Sequence, residues 1–130
     1  MCTCTGACID HIRDAVLVLD PDKEHYLGRI MLHGGDSNQP FIAGGSGELL
    51  SRGAVKRLGN ELEKAIDAPE SAVVSMKHTY AEDAELGSTF AKLAIPAVDL
   101  KDREGRQLFL PIGAGVEHIQ FKNSSTGDKG

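Results

Sequence analysis

At 130 residues, 41% apolar and 25% charged, the chain has the size and composition of one globular domain able to build a core without disulfides or metal. Its formal charge of −5 argues against a sequence-independent binder of nucleic acid backbones, which needs a basic surface to release counterions. No apolar run approaches the roughly 18 to 20 residues of a bilayer span, and the N-terminus lacks a basic segment leading into an apolar one, so no membrane role and a cytoplasmic location are expected.

Residues 1–8 (MCTCTGAC) show no period and read as a loose terminus, and their three cysteines crowd at one end, which is not a disulfide framework. Ile9 to Ala15 has helical spacing for about one and a half turns. The aliphatic run Ala15 to Asp20 reads as a buried strand ended by the turn signal Asp20-Pro21-Asp22. His25 to His33 alternates like a strand and is expected to form a hairpin with that run. Gly34 to Pro40 is a loop, and Phe41 to Ala43 is a short third strand.

Phe41 to Ala68 joins a short apolar run, a glycine-rich loop and the one long helical period. Ala54, Val55, Leu58, Leu62, Ala65 and Ile66 recur three or four apart, with Lys56, Arg57, Glu61, Glu63 and Lys64 on the other side. Ser46 and Ser51 compete as the N-cap. Ser51 is favoured because Leu50 before it and Val55 after it can form a hydrophobic staple. Pro69 ends the helix. Ser71 to Met76 reads as a strand, and 79–95 as either a helix interrupted at Gly87 or, preferred for Thr89, Leu93 and Ile95, a loop holding the acidic cluster Glu82-Asp83-Glu85 followed by a strand from Ser88 to Ile95. From Ala97 the pattern is a hairpin turning at Lys101 to Gly105, with Leu108 and Leu110 on one face. A last strand spans Val116 to Phe121, and residues 122–130 form a disordered tail.

Three stretches have residue types that can carry chemistry. Gly45, Ser46 and Gly47, with Arg52 at the first helical turn, can contact an anionic small molecule through backbone N–H groups and one guanidinium. The loop lacks the third small residue of a dinucleotide fingerprint and the Lys-Ser or Lys-Thr of a P-loop, and Glu48 puts a negative charge where phosphate would sit. Cys2, Cys4, Cys8 and His11 supply the ligand types of a zinc site at compressed spacing. His33 to Ser37 holds His, Asp and Ser within five positions, although triads are usually assembled from distant parts of a fold. His25, His78 and His118 are the other histidines available to a general acid or base, and no GxSxG elbow occurs.

These observations predict a single α+β domain over 1–121, with a mixed or antiparallel sheet of about five to seven short strands on one main amphipathic helix. One helix leaves the second sheet face uncovered, which predicts a homodimer. The leading functional expectation is a small binding or regulatory module acting through protein contacts, with the anionic ligand at Gly45, Ser46, Gly47 and Arg52, and no cofactor. A hydrolase-like enzyme using His33 to Ser37 and a zinc-stabilised module are the alternatives.

Overall fold

The structure, a computed structural model, describes residues 9–32, 39–74 and 81–109. The expected terminal strand from Val116, the tail, the three cysteines and the His33 to Ser37 loop lie outside these residues.

The first element is a helix, α1 (Ile9–Val16). It takes in the start of the aliphatic run that sequence assigned to a strand, and the rest of that run is a turn. Ile12, Ala15, Val16 and Leu19 pack on one side while Leu17 and Val18 point outward, a helical and not a two-residue period. Backbone bonds from Leu17 N–H to Arg13 and from Leu19 N–H to Val16 (3.1 and 2.9 Å) carry the coil onward. The Asp20 to Asp22 turn forms as expected, with Asp22 N–H donating to the Asp20 carboxylate at 2.9 Å.

The expected strand over His25 to His33 splits into β1 (Tyr26–Gly28) and β2 (Ile30–Leu32), which join different sheets. In place of a hairpin with residues 15–20, β1 pairs antiparallel with β4 (Glu48–Leu50) and parallel with β5 (Ala97–Asp99), in the order β4-β1-β5. β2 pairs antiparallel with β3 (Pro40–Ile42), Ile30 opposite Ile42. The described residues thus form an α+β fold with sheets of three and two strands and three helices, where a single sheet on one helix was expected.

Helix α2 (Arg52–Asp67) starts where the cap argument places it. The Ser51 hydroxyl accepts from Ala54 N–H (3.1 Å) and from His25 N–H (2.8 Å), and donates to the Lys23 carbonyl. Its orientation differs from expectation. Ala54, Glu61 and Ala65 are buried, whereas Val55, Leu62 and Ile66 are 52%, 40% and 72% exposed. Glu61, assigned to the polar side, is buried with its carboxyl group reaching Lys64 at 2.8 Å and Arg57 at 3.9 Å.

Beyond α2 the expected strand from Ser71 is absent through residue 74. Pro69 opens a 3-10 turn that Ser71 closes by donating both N–H and hydroxyl to the Ala68 carbonyl at 3.1 Å. The expected loop and strand over 79–95 are replaced, among the described residues, by helix α3 (Glu82–Lys92). Leu86, Phe90 and Leu93 give it a helical stripe, and Glu82, Asp83 and Glu85 complement its dipole, so the acidic cluster belongs to a first turn and not to a solvated loop. Ala94, at φ +59°, ends it as Ile95 N–H reaches back to the Phe90 carbonyl at 2.8 Å. The turn after β5 matches expectation: Gly105 has φ +79°, and Lys101 bridges antiparallel to Gln107.

Tyr26 and Leu27 face opposite sides of β1 and seed two clusters. Tyr26 packs with Ile42, Ala54, Phe90 and Ile95 beneath α2 and α3, its ring centroid 4.7 Å from that of Phe90. Leu27 packs with Leu100, Leu108 and Phe109 against α1. The second sheet face is therefore covered within the chain, which removes the ground on which sequence alone predicted a homodimer.

Candidate functional site

The glycine loop folds as a 3-10 turn, Gly44–Ser46, followed by Gly47 at φ +97°. Strand β4 then intervenes before α2, so the expected strand–loop–helix unit is interrupted. Four residues, Glu48 to Ser51, separate the glycine turn from Arg52, and at roughly 3.3 Å per residue they hold Gly47 and Arg52 about 15 Å apart along the chain, so these four predicted contacts are not gathered at one helix end.

Most of the donors in the loop are answered by the chain. Ser46 N–H and hydroxyl both donate to the Ala43 carbonyl (3.1 and 2.8 Å), and Gly47 N–H donates to the Gly44 carbonyl at 3.0 Å. Gly44 N–H donates to the Asp83 carboxylate at 3.1 Å. An anion does sit on this loop, and it is the protein's own side chain, carried from α3.

The start of α2 is closed in the same way. Gly53 N–H donates to the Pro21 carbonyl at 3.0 Å, and Ser51 Oγ takes Ala54 N–H. Arg52 forks onto Asp22 with contacts of 2.7 and 2.9 Å. That hydrogen-bonded guanidinium holds the Asp22 carboxyl below its ordinary value.

The electrostatics at the glycine turn follow from its neighbours. Glu48 Oε2 is enclosed with no hydrogen-bond partner among the described residues. Burial first, then Asp83 and Glu82, push the Glu48 carboxyl above its ordinary value. The Tyr26 hydroxyl, which accepts the buried Ile42 N–H at 3.0 Å, is pushed up to about 12, chiefly by burial. Three carboxylates around one turn favour a proton or a cationic group over a second anion.

A concavity of about 620 Å³, open to solvent, lies between α1 and the turn after β5. His11, Asp14 and Arg103 line it, together with Asp99 and Asp102. The last two are structural. Asp99 accepts Ile30 N–H at 2.7 Å and Gln107 Nε2 at 3.1 Å, and Asp102 holds the Arg106 guanidinium at 2.6 Å.

Among the described residues no group of three or more His, Cys, Asp or Glu is arranged to hold a metal ion. His11 is the one described member of the expected zinc set, and it is exposed on α1. His25 is half-buried, its Nε2 enclosed with no partner among the described residues, while His78 and His118 lie outside them.

Sequence reasoning missed the exposed line Val55, Leu62, Ile66 on α2. The signal available was the division of the apolar arc, with the two alanines on one edge and Val55, Leu62 and Ile66 on the other. The chain matches no protein-family model and no solved structure.

Proposed function

We propose that the chain is a small binding module that acts through protein contacts, with the outward side of α2 as its contact face. One observation carries this reading: Val55, Leu62 and Ile66 line up in solvent on a helix whose buried side is made of two alanines and a glutamate. Exposed apolar area of this kind is stabilised by being covered, at about 25 cal/mol per Å² removed from water. An anionic ligand at Gly45, Ser46, Gly47 and Arg52 is disfavoured because the Ser46 and Gly47 donors are taken by the Ala43 and Gly44 carbonyls and the Arg52 guanidinium by Asp22, while Asp83 places a carboxylate beside the turn on Gly44 N–H. The net charge of −5 weighs against nucleic acid.

A photo-activatable side chain in place of Ile66, irradiated in the living cell, tests the proposal. Discrete protein adducts identified by mass spectrometry are expected from position 66 and not from position 104, an exposed site in the turn after β5. Equal, heterogeneous labelling from both positions rejects it.

A further inference from the structure

We infer that the occupant of the α2 face is a second copy of this chain, the two α2 helices packing antiparallel about Gly59. The inference rests on the reading of α2 as a contact face and adds the partner and its register. At about 100° per residue, Val55, Gly59, Leu62 and Ile66 fall within one strip of about 60°. Gly59 lies midway along its length, on the edge next to the charged flank, and no heavy atom stands within 4 Å of where its Cβ would be. A glycine there weakens the helix and leaves room for another backbone to approach closely.

The flank of the strip carries the decisive pattern. Arg52, Lys56, Glu63 and Asp67 follow one another along it, two cations toward the N-terminus and two anions toward the C-terminus. This order opposes the helix dipole, which favours the reverse arrangement, so helix stability does not explain it. A two-fold axis relating antiparallel helices brings the same flank of each together. Lys56 and Glu63, and likewise Arg52 and Asp67, are placed symmetrically about one midpoint between Gly59 and Asn60. A single register therefore sets Lys56 opposite Glu63 of the second copy, while Arg52 keeps its fork on Asp22.

Parallel pairing would turn this flank toward the opposite flank of the second helix, where Ala54 and Ala65 are buried and offer no charge, and a uniformly acidic or basic partner would satisfy only half of the flank. Within the chain, Lys56 contributes to the field on Asp22 but forms no ion pair among the described residues, and neither do Glu63 and Asp67.

Sedimentation of the full chain over a range of concentrations tests this, with folding of each variant checked by circular dichroism. The parent is expected to shift from 13.9 kDa to twice that mass as concentration rises. Lys56→Glu and Glu63→Lys, each of which creates two like-charge contacts per dimer, are each expected to weaken association by about tenfold, and the double variant to recover most of it. Ile66→Lys is expected to abolish association in a chain that still folds. A monomer at every concentration, a dimer indifferent to both reversals, or a double variant no better than the singles overturns the inference. A monomer whose position-66 probe still gives discrete adducts with another protein overturns self-pairing and leaves the contact-face reading standing.

Discussion

Glu48 holds a carboxyl that its surroundings make harder to ionise than in the unfolded chain. The sign of the linkage follows directly. The folded state binds the proton more tightly, so the contribution of this group to stability is complete below its ordinary value of 4.5 and is lost as pH rises through the folded value. Glu48→Gln supplies the neutral form at every pH. The variant is therefore expected to be more stable than the parent near neutral pH, with the margin shrinking toward about pH 4, as read by urea unfolding of both proteins. A margin that grows on acidification would contradict the placement of this carboxyl beside Asp83. Asp22, held low by Arg52, responds in the opposite sense in both proteins and cancels from the difference.

On α2 the same substitution has opposite outcomes at two glycines. A Cβ at Gly53 would stand 2.3 Å from the Asp22 carbonyl oxygen and 2.6 Å from that of Lys23, both backbone atoms, whereas at Gly59 it meets nothing. Gly59→Ala is expected to stabilise the monomer by about 0.5–1 kcal/mol, through helix propensity alone. Gly53→Ala is expected to destabilise it despite the same gain, because the turn over Pro21 to Lys23 must move. Thermal melts at a concentration where the chain is monomeric read both. These helices also show what was legible in the residues. The Ser51 cap, the Pro69 stop and the Gly105 turn are local signals, and each appears where sequence puts it. Helix α3 was one of two readings and not the preferred one, because Gly87 looks like a breaker until Phe41 is seen pressed against it, a Cβ there lying 2.4 Å from that of Phe41. The apolar arc of α2 was visible, but not which edge of it the core takes. Ala54 and Ala65 are small enough to let the helix roll onto that side and leave Val55, Leu62 and Ile66 outside.

Across the whole molecule, β1 belongs to both clusters, Tyr26 to one and Leu27 to the other. Leu27→Ala, on the α1 side, is expected to cost about 2–5 kcal/mol and to lower the unfolding midpoint equally by tyrosine fluorescence and by far-ultraviolet circular dichroism. Separated transitions would mean that the two sides unfold independently. At this scale the candidate site was half legible. The sequence pattern put the glycines next to the helix, but β4 intervenes, and only the packing of α3 and the turn at Asp22 reveals that Gly44 N–H and Arg52 each meet a carboxylate of the chain itself.

The parallel pairing of β1 with β5 sets the order in which the molecule assembles. Its antiparallel neighbour β4 lies only some twenty residues along the chain, whereas β5 arrives roughly seventy residues later. On the ribosome, β1, β4 and α2 emerge with local contacts available, while the Leu27 side has only α1 and Leu49 to pack against until residues 97–109 are synthesised. Closing that long loop is the entropically expensive step, so the chain is expected to fold more slowly than a helical bundle of equal size. During that interval the unpaired edge of β1 is the segment most exposed to mispairing.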